Sequence, residues 1–341
     1  MAEWEPQERV LLTLPDKNTD WAYMLDEVWA CYSSIIRCLS SYGVPVTLFV
    51  RNTDDAVSLF DGSLPDGVTT VVMSYNDTWI RDYGPLSIEH VRGGEPRKRL
   101  LADFGFNGWG LKFASCDDNL VNAKYFGCNT DGTFNPEYLN CRGYELEGGS
   151  VETDGRGTLL TTSSCLCSPN RNGGLSRGQA ERTLSRLLGI DHFLWLDHGY
   201  LAGDDTDGHI DTLARICPGD VIIYVGCQNP DDEHYAELAA MKRELETFKT
   251  RDGHKYNLVE LPLPSAIFDP EDGHRLPATY ANYLVTDRVV LVPSYGQQHE
   301  DDLAAGIIQS VYSDRAVKSI DCRALIRQHG SLHCATMQIN K

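Results

Sequence analysis

Residues 24–50, MLDEVWACYSSIIRCLSSYGVPVTLFV, carry the pattern that decides the fold class. Met24, Val28, Cys31, Ile35 and Leu39 recur at the spacing of one helix face, and the pattern stops before Gly43. Val46–Val50 follows at once as a short run of apolar and β-branched residues, which is how a strand covered on both faces reads. A helix feeding directly into a buried strand is the building unit of an α/β protein.

The same signals extend outward along the chain. Strand-like runs recur at Val10–Leu14, Val68–Met73, Thr158–Thr162, Val221–Val225, Leu258–Leu261 and Val289–Pro293. Ser176–Gln179 reads as a capping box ahead of Leu184, Leu187 and Leu188. Leu238, Met241, Leu245 and Phe248 mark another helix, and Asp301 or Asp302 is placed to cap one that carries Leu303, Ile307 and Val311. The pattern predicts an α/β fold. With no low-complexity stretch or Pro/Ser linker, it also predicts a single domain over 1–341. Arg251–Thr279 is the least regular segment, either a loop over a site or a long connection.

Composition narrows the function. The chain has 341 residues, 42% hydrophobic and 23% charged, the profile of an ordinary globular protein. Its 49 acidic and 30 basic residues give a net charge of −19, which argues against nucleic-acid or anionic-membrane partners and suits a cationic ligand. No apolar run is long enough for a membrane span, and MAEWEPQERVLLTL lacks the layout of an export signal. Eleven scattered cysteines without a CxxC pair read as reduced thiols, so the expected location is cytoplasmic. No P-loop, GxGxxG or GxSxG occurs.

Four polar, glycine-flanked turns follow apolar segments: Arg81–Pro85, Glu147–Ser150, Gly208–Asp211 and Gly330–Cys334. Asp82 and Glu147 are 65 residues apart, Glu147 and Asp211 are 64 apart, and Asp211 and Cys334 are 123 apart, close to twice that step. Such spacing fits stacked modules that bring equivalent turns together.

Each turn carries chemistry, and each has a plain structural alternative. In Gly208-His209-Ile210-Asp211, an extended backbone would put a histidine and a carboxylate on one face, a tunable acid/base pair. Read alone, the segment is equally a surface turn. Its glycine is misplaced for a calcium loop. Asn76–Pro85 sets Trp79 among charged groups, machinery for a cation or simply a half-buried turn around Arg81 and Asp82. Glu147 precedes two glycines, which permit close backbone approach. Cys334 follows a Gly/Ser turn and is either a nucleophile or a small core residue. A zinc site at His329, His333 and Cys334 is disfavoured because Gly330 weakens the helix it requires, so no metal is expected.

Together these segments resemble the agmatine deiminase family, which includes the Porphyromonas-type peptidylarginine deiminases. The matching pieces are NDTWIRDYGP (Asn76–Pro85), EGGSVETDGRGTLLTT (Glu147–Thr162), SPNRN (Ser168–Asn172), GDDTDGHIDTLARI (Gly203–Ile216), YANYLVTDRVVLVPSYG (Tyr280–Gly296) and GSLHCATMQ (Gly330–Gln338). The resemblance implies a pseudo-fivefold α/β propeller of ββαβ modules around a central site, and hydrolysis of a guanidinium without metal or organic cofactor. It implies Cys334 as nucleophile and His209 as general acid/base. Asp82 and Asp211 would grip the guanidinium, and Glu147 would support both the substrate and His209. Trp79 would pack along the substrate, Asp205 would meet its distal amine, and Asn282 would lie at or just behind the site.

On this reading Asp204, Asp205 and Asp207 make an anionic mouth that favours agmatine, a small cationic substrate, over arginine. The product would be N-carbamoylputrescine, a step towards putrescine. A homodimer is the default assembly. The chain departs from the family in ending Gly-Ser-Leu-His-Cys rather than Gly-Gly-Asn-Ile-His-Cys. The competing readings are a deiminase of peptidyl arginine or another guanidine, a non-catalytic guanidinium-binding protein, and a cysteine protease. A binder would not need the thiol, and a neutral amide would not need the carboxylates.

Overall fold

The residues of Val46–Val50 leave no polar face, so the segment is stable only when covered on both sides, and all five residues are buried. In the computed structural model, which describes residues 1–91 and 97–341, the first sheet is built around it. Strand β1 (Gln7–Thr13) runs parallel to β2 (Val46–Val50), which runs parallel to β3 (Val68–Val72). On the other side of β1, strand β16 (Met337–Asn340) pairs antiparallel. The helix Leu25–Ser41 makes the crossover from β1 to β2 and buries Val28, Cys31, Tyr32, Ile35, Ile36 and Leu39. It ends where Gly43 takes a φ of 66° and donates its N–H to the Ser40 carbonyl at 2.8 Å.

Four three-stranded sheets repeat this scheme. They are β4 (Leu86–His90), β5 (Lys98–Gly105) and β6 (Tyr138–Glu145); β7 (Glu152–Thr153), β8 (Thr158–Thr162) and β9 (His192–Leu196); β10 (Ala214–Cys217), β11 (Val221–Val225) and β12 (Asn257–Leu261); and β13 (Leu284–Val285), β14 (Val289–Ser294) and β15 (Ala316–Asp321). In each, the first two strands are antiparallel and the last two parallel. An antiparallel pair can close through a short turn, whereas a parallel pair needs a crossover. The helices Val121–Phe126, Arg177–Leu188, Tyr235–Leu245 and Gln298–Val311 lie in those crossovers. The fold is thus mixed α/β with five small mixed sheets among the described residues.

All seven sequence runs are strands, and the Gln179 side chain accepts from the Ser176 N–H at 2.9 Å as the capping-box reading requires. The helix near Asp301 differs from expectation. It begins at Gln298, so Asp301 lies in its first turn rather than at its cap. The buried Asp301 carboxylate accepts from the Tyr295 and Gln297 N–H groups, both at 2.9 Å. Leu303 is exposed, and Ala304 and Ile308 form the inward face.

The chain divides into two compact units. One comprises Glu3–Gly148 and Cys334–Lys341, with Met1, and holds β1–β6 and β16. The other comprises Gly149–His333, with Ala2, and holds β7–β15. Among the described residues, no helix is long and apolar enough to cross a membrane.

The topology accounts for the spacing of the polar turns. Asp82 precedes β4, Glu147 precedes β7, Asp211 precedes β10 and Cys334 precedes β16, always ahead of the strand that opens the antiparallel pair. A fifth such turn, before β13, contains Asn282 and divides the double-length interval between Asp211 and Cys334.

Candidate active site

In the first unit, the Asn76–Pro85 segment is anchored at its start by a carboxylate from outside it. Asn76 and Asp77 donate backbone N–H groups to the buried Asp118 carboxylate at 2.6 and 3.1 Å. Burial pushes the Asp118 carboxyl up to about 8, although those two donors oppose the shift. Trp79 is buried and meets Trp21 with ring centroids 5.7 Å apart. The turn Ile80–Tyr83 then places Asp82 in the interior, where its Oδ2 accepts from the Trp109 indole at 2.9 Å.

Two further candidates converge on this turn. The Arg81 N–H donates to the Cys334 carbonyl at 3.2 Å, which ties the buried cysteine to the residue beside Asp82. The backbone that follows buried Glu147 also closes on Arg81. A Cβ at Gly148 would lie 2.1 Å from the Arg81 carbonyl oxygen. That overlap is with backbone, so no rotamer relieves it. Gly148→Ala is therefore expected to lower the thermal midpoint, at a cost of about 1–3 kcal/mol, and to reduce activity by displacing Asp82. A melting curve with an unchanged midpoint would show that the contact yields freely.

In the second unit, His209 and Asp211 are both fully buried. The turn that carries them is held from several sides. Thr162 Oγ1 donates to the Gly208 carbonyl at 2.6 Å, the His209 N–H donates to Thr206 Oγ1 at 3.0 Å, and Thr212 Oγ1 donates to the His209 carbonyl at 2.9 Å. Asp211 Oδ2 is 2.7 Å from His333 Nδ1. Burial works to raise the Asp211 carboxyl, but the His333 hydrogen bond, with His333, His209 and Arg215 all acting on the carboxylate, outweighs it and holds the group below the usual carboxylate range. Asn282 is buried, and its Oδ1 accepts the His333 N–H at 2.9 Å. Asn282 thus fixes the residue immediately before Cys334 in sequence.

The acidic residues of the expected mouth differ in their partners. Asp204 holds its own turn, accepting from Thr206 Oγ1 at 2.6 Å and the Gly208 N–H at 2.7 Å. Asp207 is paired with buried Arg171 at 2.6 Å. Asp205 keeps 41% of its side chain exposed and lies 3.5 Å from His329 Nε2. His329 occupies the left-handed region at φ 68°, and its Nδ1 is 2.9 Å from the Gly203 carbonyl. Of the three carboxylates Asp207 is paired with a cation, Asp204 is held within its own turn, and Asp205 has a histidine beside it.

Sequence reasoning missed four residues of these networks. Trp109, flanked by glycines and itself at φ 54°, is the Asp82 partner. His333, Arg215 and Glu152 form a buried series behind Asp211, in which Arg215 donates to Glu152 and approaches His333 Nε2 at 3.0 Å. A tryptophan between two glycines was a usable signal for the first. The other three lie in quoted motifs, but nothing in their spacing marks them as partners.

The model of the Porphyromonas-type peptidyl-arginine deiminase family matches residues 1–339. The agmatine deiminase of Pseudomonas syringae pv. tomato is 31% identical, over 99% of this chain and 94% of its own. A solved structure from Porphyromonas gingivalis, provisionally called an arginine deiminase, superposes with a TM-score of 0.89 at 45% identity, covering 100% of this chain and 98% of that one. Substrate-bound agmatine deiminase from C. jejuni gives 0.88 at 34% identity, covering 100% and 96%. Matched along nearly its whole length by the family and by solved structures, the chain belongs to the Porphyromonas-type peptidyl-arginine deiminase family.

Proposed function

We propose that this protein is an agmatine deiminase, hydrolysing agmatine to N-carbamoylputrescine and ammonia, a step towards putrescine. The observation that supports the reading is the backbone bond from Arg81 to Cys334, which ties a buried cysteine to the residue next to buried Asp82 in sequence. A guanidinium is planar, cationic and a poor electrophile. Paired carboxylates can fix its plane, and a thiolate can attack its central carbon.

In this proposal Asp82 and Asp211 accept from the guanidinium N–H groups, and Glu147 holds a nitrogen and supports His209. Trp79 packs along the substrate. The Cys334 thiolate attacks, and His209 protonates the departing nitrogen so that ammonia leaves and an S-alkylthiouronium remains. His209 then takes a proton from water, the hydroxide adds to the same carbon, and the C–S bond breaks to release the ureido product and the thiolate. Every group this sequence needs is a side chain, so the reaction calls for no metal or organic cofactor.

Asp205 is assigned to the distal ammonium of agmatine. Asp205→Asn is expected to raise the agmatine KM by about tenfold or more while changing kcat little, as loss of one exposed charge contact at a remote end does. Equal losses in kcat and KM would move Asp205 out of that role. The 45% identity to a protein provisionally called an arginine deiminase favours a second reading, in which arginine or peptidyl arginine is the substrate.

The deciding experiment supplies agmatine, free arginine and a peptide with C-terminal arginine separately and assays ammonia and ureido product. Turnover of agmatine alone supports the first reading, and turnover of either arginine substrate instead supports the second. We further propose that the five sheets form a pseudo-fivefold propeller, that residues 1–341 act as one catalytic domain, and that the protein is cytoplasmic and homodimeric.

A further inference from the structure

We propose that His333 is a positioning residue: a neutral ring locked between Asp211 and Arg215, which keeps Asp211 available as an anion for the substrate cation. The inference rests on the reading above, in which Asp211 grips the guanidinium.

The proton inventory carries the argument. Arg215 Nη2 lies 3.0 Å from His333 Nε2, and a guanidinium has donors only. Nε2 must therefore accept, which leaves the ring proton on Nδ1. Nδ1 lies 2.7 Å from Asp211 Oδ2, so it donates there. A doubly protonated ring would aim an N–H at an N–H of Arg215 and could not keep that contact. The opposite tautomer would leave Nδ1 as an acceptor facing the Asp211 carboxylate. One protonation state satisfies both neighbours.

The surroundings hold both partners in place. His333 is fully buried, and its backbone N–H is held by both the side chain and the carbonyl of Asn282, at 2.9 and 3.1 Å. Arg215 is fixed as firmly. It donates to Glu152, to the Ala281 carbonyl at 3.2 Å and to the Tyr283 carbonyl at 2.7 Å, and its guanidinium stands over the Tyr283 ring at 4.7 Å.

Charge gives the arrangement its purpose. Asp211 and Glu152 are anionic, Arg215 is cationic and His333 is neutral, so these four side chains alone sum to one negative charge. A substrate guanidinium supplies the missing positive charge. Were His333 protonated, these four side chains would sum to zero before substrate arrived. Were the ring absent, Arg215 would have a path to Asp211 and could occupy it in place of the substrate. His209 is the other titratable group that acts on Asp211 from the same turn. The peptide bond from His333 to Cys334 places this spacer next to the proposed nucleophile in the chain.

Two measurements test the assignment on the full-length protein. The first needs no substrate: histidine-specific nitrogen-15 NMR should find the His333 ring neutral with its proton on Nδ1 between about pH 5 and 8, where an ordinary histidine titrates. The signal is identified by its loss in His333→Asn. A ring that becomes doubly protonated in that range, or carries its proton on Nε2, overturns the proposal.

The second is kinetic. His333→Ala should raise the agmatine KM by about tenfold or more, the effect of losing one hydrogen bond to a charged group. The acid limb of its kcat/KM profile should move to higher pH, because burial then acts on Asp211 without the opposing bond. His333→Asn, whose amide can donate from the position of Nδ1, should recover most of both effects. A folded His333→Ala with wild-type KM and acid limb overturns the proposal. Failure of the wild-type protein to turn over agmatine counts against the substrate reading alone, because the NMR result does not depend on it.

Discussion

Cys334→Ala is expected to abolish turnover, by about four orders of magnitude or more, while leaving the protein folded and able to bind agmatine. The size follows from the chemistry proposed for this side chain. Without a thiolate there is no covalent intermediate, and what survives is binding and electrostatic assistance to direct attack by water. Folding should survive because the structure uses the Cys334 backbone for its contact with Arg81, and alanine keeps that carbonyl. Binding should survive because Asp82 keeps its bond from Trp109 and Asp211 its bond from His333. The check is single-turnover kinetics alongside calorimetric titration with agmatine. Substantial residual turnover by the variant would remove Cys334 from the nucleophile role, and loss of binding with loss of turnover would point to a structural one.

Arg215→Ala is expected to carry the largest stability cost of any single substitution considered, about 3–5 kcal/mol. The guanidinium is buried, and its removal strands the equally buried Glu152 carboxylate, which would retain the Ile216 N–H at 3.2 Å. The Ala281 and Tyr283 carbonyls also lose a donor, and His333 loses the group that fixes its tautomer. Denaturant titration measures the cost directly. The double variant Arg215→Met, Glu152→Gln should recover part of it, because no buried charge is then left without a partner. If Arg215→Ala unfolds at the wild-type midpoint, the pair contributes nothing measurable to stability.

These predictions show where the sequence was legible. The runs Val46–Val50, Thr158–Thr162 and Val221–Val225 match strands to the residue, because a strand between two neighbours is covered on both faces and is built of apolar and β-branched residues. Outer strands escape the same reading. β4 ends Glu89-His90 at a solvent-facing edge, and β7 and β13 are two residues long, too short for any periodicity. The proposed chemical residues lie in segments that resemble those of a known family, so Asp82, Glu147, His209, Asp211 and Cys334 could all be named from sequence through that resemblance. Their partners could not. Trp109 meets Asp82 across 27 positions and His333 meets Asp211 across 122, and no local pattern encodes such pairs. The pairing of Asp207 was hidden for the same reason, since Arg171 lies 36 positions upstream of it.

The pairing of β16 with β1 bears on how the molecule comes to exist. Gln7 stands opposite Asn340 in that ladder, so closing it joins segments from opposite ends of the sequence. Contacts between such distant positions carry a heavy loop-closure entropy and form late in folding. The other four sheets can assemble from neighbouring stretches of chain, but the one that seats Cys334 cannot. The step that completes the first sheet is therefore also the one that fixes the segment in which the Cys334 carbonyl meets the Arg81 N–H.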